Sequence, residues 1–228
     1  NDAPTVANAI SDASTDEDAA YSLSISNVFT DVDTGDSCTY SMSGAPSTIT
    51  LSGTTISGTP VNADVGTHTI VVTCTDGSSA SVSDSYVLTV VNTNDAPTVA
   101  NAISDATTAE DAAYSLDISS VFADVDAGDT LTYSISAGPS SLSISSGTVT
   151  GTPTNDDVGA NTVTISATDG TASVTASYVL TVTNTNDAPT ITSTADTTAE
   201  EDEAYSYTTT ASDVDAGDTV TLTCTTVP

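Results

Sequence analysis

The segment Asn92-Thr93-Asn94-Asp95-Ala96-Pro97 returns as Asn184-Thr185-Asn186-Asp187-Ala188-Pro189, and the chain opens on Asn1-Asp2-Ala3-Pro4. Proline offers no amide to a sheet ladder and holds the residue before it extended, so no strand runs through such a segment. The two internal copies each follow an alternating apolar run, ending at Val90 or Val182, and each precedes a fresh one. The segment therefore reads as a joint between modules. Its aspartates Asp2, Asp95 and Asp187 lie 93 and 92 residues apart (95 − 2 and 187 − 95), the length of one β-sandwich domain. This predicts a first repeat over 1–93, a second over 94–185, and the first half of a third over 186–228. The third is expected to be completed by further chain or by a neighbouring subunit, the sequence looking like a window cut from a longer array.

Within each repeat the apolar residues fall at every second position, the period of a strand with one buried face. Expected strands run over 5–10, 21–25, 38–42, around Ile49, Leu51 and Ile56, and over 67–75 and 86–90. Their second-repeat counterparts include 98–103, 114–118, 131–135 and 178–182. The third repeat offers 190–194, a strand at Tyr205, and Val220, Leu222 and Cys224. Gly-Thr-Pro (Gly58 to Pro60, Gly151 to Pro153) and Asp-Gly turns punctuate them, and helical periodicity is absent. About seven short strands per repeat, rich in Val and Thr, predict an all-β fold of tandem Ig-like Greek-key β-sandwiches.

The chain carries 31 acidic residues, no lysine or arginine, and a formal net charge of −31. Nothing in it can neutralise phosphate, which excludes nucleic acid as a partner and makes an anionic membrane surface unsuitable. No run of apolar residues is long enough for a membrane span. Ser and Thr make up about a third of the residues, a bias that offers acceptors for O-linked glycans. The single histidine, His68, stands where the second repeat has Asn161, and the chain lacks tryptophan. Nucleophilic catalysis has no base to work with, and a glycosidase would want aromatic platforms, so no enzyme is expected. Tyr21, Tyr114 and Tyr205 alternate with core positions and are expected to pack.

Acids outside any recurring set, Asp12, Asp84 and Asp105, are read as local turn residues. The others recur at fixed places. Glu-Asp precedes the strand at Tyr21, Tyr114 or Tyr205. An Asp-Val-Asp-x-Gly-Asp turn occupies 31–36, 124–129 and 213–218. A further acid follows Gly-Thr-Pro (Asp64; Asp156 and Asp157), and Asp76-Gly77 matches Asp169-Gly170. Strands that alternate in direction place successive loops at opposite ends of a sandwich. Each joint is then expected to gather Glu17, Asp64, Asn94, Asp95, Asp124, Asp126 and Asp169. Its successor would gather Glu110, Asp156, Asp157, Asn186, Asp187, Asp213 and Asp215, and the opening one Asp2, Asp31, Asp33 and Asp76. Like charges held this close repel by a few kcal/mol per pair. Calcium relieves that repulsion, accepting six to eight oxygens in irregular geometry, where magnesium wants a smaller octahedron and keeps its waters. An EF-hand does not fit: glycine is fifth in the loop, and the twelfth positions are Met42, Ile135 and Cys224.

The order Glu-Asp, Asp-x-Asp-x-Gly-Asp before an alternating Tyr strand, Ala-Thr-Asp-Gly (Ala167 to Gly170), then Asn-Thr-Asn-Asp-Ala-Pro resembles the cadherin-like repeats of microbial surface adhesins and fibres. The resemblance covers both full repeats and the half repeat. It implies Ig-like sandwiches arranged as a rod, calcium ions held at each joint by the acidic loops, and an extracellular place in an adhesin stalk or surface fibre, with further repeats or other copies of the chain as partners. Two departures suggest fewer ions or weaker binding: the linker of animal cadherins carries an additional acid where this one has Thr93 or Asn92, and their Asp-x-Glu turn is replaced here at Asp64-Val65. The rival readings are a carbohydrate- or protein-binding sandwich and a metal-free acidic spacer. Of the three cysteines, Cys38 and Cys74 occupy the places of Leu131 and Ala167. Their joint change at two core-facing positions favours a disulfide over two buried thiols. Cys224 has no evident partner in sequence, and the absence of a Cys/His cluster argues against zinc.

Overall fold

Alternation decides the architecture, and the longest alternating runs make its longest pairing. In the computed structural model, which describes residues 2–224 apart from Thr34 and Asp36, the first repeat has nine strands. They are β1 (Thr5–Val6), β2 (Ala13–Asp16), β3 (Tyr21–Ser24), β4 (Phe29–Thr30), β5 (Thr39–Ser43), β6 (Ile49–Ser52), β7 (Thr55–Gly58), β8 (Gly66–Thr75) and β9 (Ser81–Val91). Strands β8 and β9 pair antiparallel from Gly66↔Val90 to Thr75↔Ser81. They form the middle of a four-stranded sheet of order β2-β9-β8-β5, and a three-stranded sheet has order β3-β7-β6. The expectations for Asn1, for the Asp36 end of the first Asp-Val-Asp-x-Gly-Asp turn, and for 225–228 lie outside the described residues.

Both sheets turn their apolar positions onto one core. Ile25, Ile56, Ile70, Val72, Cys74 and Leu88 in it are fully buried. The second repeat repeats the plan with β10 (Thr98–Val99), β11 (Ala106–Ala109), β12 (Tyr114–Asp117), β13 (Phe122–Ala123), β14 (Thr132–Ala137), β15 (Leu142–Ser145), β16 (Thr148–Gly151), β17 (Gly159–Thr168) and β18 (Ser173–Thr183). Its sheets have orders β11-β18-β17-β14 and β12-β16-β15. The glycine of Gly-Thr-Pro is required by close approach: a Cβ on Gly58 would overlap the Thr48 carbonyl, and one on Gly151 the Ser141 carbonyl. The chain divides into two compact units, Asn1–Asp95 with Val125–Gly128, and Ala96–Asp124 with Asp129–Pro228.

Three expectations change. The first strand is short, and the start of the supposed acidic loop is itself a strand: β2 runs parallel to β9, with Ala13↔Leu88 and Asp16↔Val91. The acids assigned to local turns are long-range staples. Asp12 accepts the Val87 N–H at 2.7 Å, Asp105 accepts Val179 N–H at 2.8 Å, and Asp84 accepts Ile10 N–H at 2.6 Å. Over 186–228, expected to be the first half of a third repeat, only β19 (Thr190–Ile191) and β20 (Ala211–Ser212) form among the described residues. Tyr205 is 53% exposed instead of packed. In the second repeat Tyr114–Asp117 is held by β16 and Thr132–Ala137 by β17, and no described residue after 212 supplies equivalents of those partners.

Cys38 and Cys74 form a disulfide, with Cα atoms 5.2 Å apart and a sequence separation of 36. It joins the edge of β5 to β8, at the level where Ala167 fills the second core without a bridge. Cys38→Leu with Cys74→Ala, the residues of the second repeat, is expected to keep the β-sheet circular dichroism spectrum. It should lower the melting of the first repeat only, since closing a loop of 36 residues is worth about 4 kcal/mol in chain-entropy accounting. Calorimetry that resolves the two repeats checks this.

Each core also buries a phenol pair: Tyr21 Oη donates to Tyr86 Oη at 3.3 Å, and Tyr114 Oη to Tyr178 Oη at 3.2 Å. Burial first, and the partner phenol second, push Tyr86 and Tyr178 well above the usual tyrosine range. A folded pKa raised above the unfolded one gives stability that is complete below the unfolded value of about 10 and is lost as pH rises past it. Melting temperature is therefore expected to fall steeply above about pH 10. Tyr21→Phe with Tyr86→Phe should flatten that fall in the first repeat.

Candidate cation sites

The Glu-Asp corner is shaped by its backbone. Glu17 N–H donates to the Val91 carbonyl at 3.0 Å and Asp18 N–H to the Pro60 carbonyl at 2.8 Å. Asp18 takes φ of 55°, a conformation that Asp tolerates better than most residues. The corner turns the Glu17 side chain inward to 2% exposure. Its Oε1 accepts the Thr93 N–H of the hinge at 2.8 Å, while Oε2 is buried and receives no hydrogen bond. Two residues further on, Asp95 N–H donates to Asp126 Oδ2 at 2.7 Å. Glu17, Asp95 and Asp126 each bring one carboxylate oxygen within 4.8 Å of the others.

The second copy matches bond for bond. Glu110 is 2% exposed, its Oε1 accepts Thr185 N–H at 2.7 Å, and its Oε2 is again buried without a hydrogen bond. Asp187 N–H donates to Asp215 Oδ2 at 2.7 Å, and Glu110, Asp187 and Asp215 cluster in the same way. At the start of the chain, Asp2 N–H donates to Asp33 Oδ2 at 2.6 Å. Two further groups draw on the Asp-Val-Asp-x-Gly-Asp turns: Asp124 and Asp129 with Asp169 of the Asp-Gly turn, and Asp213 with Asp215 and Asp218.

The other expected ligands are placed differently. Asp64 is buried, but its Oδ2 caps its own 3-10 turn (Asn62–Asp64), accepting Val61 N–H at 3.1 Å and Thr48 Oγ1 at 2.6 Å. Asp157 does the same with Thr154 N–H and Ser141 Oγ, and Asp156 is exposed outside the clusters. Asn94 and Asn186 are exposed, each donating its side-chain amide to the next carbonyl, Asp95 or Asp187, at 2.7 Å. Asp76 holds its turn through Ser78 and Ala80 N–H groups. Asp169 holds the equivalent turn through Thr171 and Ala172 while also joining a cluster. Asp31 Oδ1 accepts Asp33 N–H at 2.8 Å, and its Oδ2 is buried.

Sequence reasoning passed over Asn62 and Asn155, whose Nδ2 groups donate to Asp126 Oδ1 at 2.8 Å and to Asp215 Oδ1 at 3.0 Å. It also passed over Asp129 and Asp218. The last two stood inside the repeated turn motif, and the asparagines recur at one offset before Asp64 and Asp157, so repetition marked all four. His68 is accounted for by structure: its Nε2 donates to the Asp64 carbonyl at 2.7 Å, as Asn161 Nδ2 does to Asp157.

A family model described as "Putative Ig domain" matches residues 3–91 and again 96–183. The chain belongs to this Ig-domain family. Among solved structures, human mucin-like protocadherin EC1-2 is similar over 80% of this chain and 98% of its own, at 16% identity and TM-score 0.56. Mouse cadherin-23 EC22-24 is similar over 80% of this chain and 65% of its own, at 20% identity and TM-score 0.54. These likenesses establish a cadherin-like fold for the tandem Ig domains. An endo-fucoidan hydrolase from glycoside hydrolase family 107 aligns at 25% identity over 80% of this chain, with TM-score 0.39. The chain spans 29% of that hydrolase's length. No curated protein sequence matches the chain.

The clusters of the Ig repeats are built of oxygen donors alone, in a chain that has no lysine or arginine to answer them. A buried carboxylate oxygen with no donor is costly, on the order of 1–3 kcal/mol or more. Glu17→Gln keeps the acceptor for Thr93 N–H and supplies an N–H2 group on the buried side. Measured in chelator, this variant is expected to melt a few degrees above the parent. A lower melting temperature would show that the Glu17 charge is not a burden in the metal-free protein.

Proposed function

We propose that these Ig repeats form an extracellular structural array whose hinges are stiffened by calcium. The observation that carries this reading is the pair of buried oxygens, Glu17 Oε2 and Glu110 Oε2, each lacking a hydrogen bond inside a group of three carboxylates. Oxygens bound to one calcium at about 2.3–2.6 Å lie at most about 5 Å apart, and those of the clusters lie within 4.8 Å. Such all-oxygen, all-anionic donors suit a hard divalent cation and not zinc, which prefers nitrogen and sulfur. Glu17, Asp95 and Asp126 would hold one ion, Glu110, Asp187 and Asp215 its counterpart. Asp124, Asp129 and Asp169 would hold a further ion as a group of their own, and so would Asp213, Asp215 and Asp218.

Bound there, the ion ties a corner of one repeat (Glu17) to the hinge (Asp95) and to the following Asp-Val-Asp turn (Asp126). A hinge so tied would lose its torsional freedom, and repeats bounded at 1–93, 94–185 and 186–228 would be joined stiffly. The disulfide suits an oxidising compartment, which agrees with a cell-surface stalk or fibre. Further repeats or other copies of the chain would continue the array, and the Ser/Thr-rich outer faces offer sites for O-linked glycans. No catalytic role is proposed, since the one histidine is engaged in holding a turn.

Millimolar calcium is expected to raise the melting temperature by several degrees relative to excess chelator, with magnesium doing less. Small-angle scattering should then report a longer, stiffer particle in calcium. Identical melts with and without calcium would refute the site, and a melting shift without any change in scattering would refute the stiffening.

A further inference from the structure

Asn62 and Asn155 lie in the first position of the 3-10 turns Asn62–Asp64 and Asn155–Asp157. In each turn the last residue is a buried or half-buried acid whose carboxylate is spent on capping the turn itself. The first residue, a neutral amide, is the one aimed at the cluster. Asn62 Nδ2 donates to Asp126 Oδ1 at 2.8 Å, and Asn155 Nδ2 to Asp215 Oδ1 at 3.0 Å. Asp126 and Asp215 are both 6% exposed, and each takes a backbone N–H on its other oxygen.

We propose that Asn62 and Asn155 are positioning residues that hold Asp126 and Asp215 in place while the cation site is empty, and thereby limit how tightly it binds calcium. The inference rests on the calcium reading above. Its independent support is that both oxygens of Asp126 and Asp215 already receive N–H donors, whereas Glu17 Oε2 and Glu110 Oε2 beside them receive none. The amide acts on the metal-free state in two ways. It places a partial positive charge where three carboxylates converge, and it fixes the Asp126 side chain by its second oxygen. A cation entering the cluster must compete with that donor. An acid at the same position would do the opposite, adding a fourth negative charge that destabilises the empty cluster and raises the ligand charge that sets calcium affinity.

The test compares the parent chain with Asn62→Asp and Asn62→Leu, using calcium titration calorimetry and melts in chelator. Both variants are expected to melt below the parent in chelator, Asn62→Asp through repulsion and Asn62→Leu through loss of the donor. Only Asn62→Asp is expected to gain calcium affinity, by about tenfold or more, and to recover in calcium the stability it lost. A merely structural asparagine would lower the melt in both variants without tightening calcium. If Asn62→Asp binds calcium no tighter than the parent, the inference falls and the calcium reading stands. If only Asn62→Asp binds calcium, the site is one the substitution creates, and the calcium reading and the inference resting on it both fall. If neither binds, both fall.

Discussion

A chain with 31 carboxylates and no lysine or arginine must satisfy its buried acids with neutral donors. Backbone N–H groups supply most of them, and this one constraint shapes the loops. Asp12, Asp84 and Asp105 each accept an amide 74 or 75 residues away and so bind the first strand segments to β9 and β18. Asp76 and Asp169 organise the turns between the two longest strands. Asp64 and Asp157 close 3-10 turns. Against that background four buried oxygens receive no hydrogen bond, Asp31 Oδ2 and Asp124 Oδ2 in the Asp-Val-Asp turns and Glu17 Oε2 and Glu110 Oε2 in the Glu-Asp corners, and the two glutamates lie deepest. Each is almost wholly buried, yet each keeps an oxygen that no donor reaches. The same atom lacks a donor in both repeats, inside a group of three carboxylates each time, and that recurrence is what supports the proposed cation site.

Much of the fold was legible because the chain is two readings of one plan. Strands β3, β5, β8 and β9 alternate apolar and polar residues, and that period survives translation by 93 residues into β12, β14 and β17 and by 92 into β18. Strand β2 was not legible. Its sequence Ala-Ser-Thr-Asp has no large apolar residue to announce a buried face, and its pairing is parallel, secured beyond its own ends by Asp12. The third repeat shows the converse. Tyr205 and Leu222 carry the right pattern and remain exposed, because alternation specifies which face a strand would bury and not that a partner is present to cover it.

The candidate site was legible in its carboxylates and less so in its geometry. Glu17, Asp95 and Asp126 fall together because the hinge spacing and the strand count force them to the same place. Asp64 shares that neighbourhood by sequence, but whether its side chain reaches outward or closes its own turn depends on the Val61 and Thr48 donors, which no motif reveals. Asn62 was overlooked for the opposite reason. A search for charge passes over an amide, although the amide is what touches Asp126. Repeats also differ by compensated exchanges, Cys38 and Cys74 for Leu131 and Ala167, and His68 for Asn161. Such pairs show which property of a position matters: core volume in one case, a donor to the turn carbonyl in the other.

The distinction between a cation site and an acidic surface comes down to where the charges sit. Repulsion among exposed acids is screened by salt within about 8 Å at physiological ionic strength, so most of the net charge of −31 costs a dissolved chain little. Glu17, Asp126 and their counterparts are not exposed, and mobile salt does not enter to screen them. Their mutual repulsion must be offset by groups in direct contact. Thr93 and Asp95 contribute backbone N–H dipoles and Asn62 an amide dipole, each a fraction of a charge against three whole ones. The hinge backbone is thus spent on holding like charges together. A divalent ion coordinated there would turn the hinge's least favourable electrostatic contact into its firmest, and the hinge would be stiff only while the ion stayed.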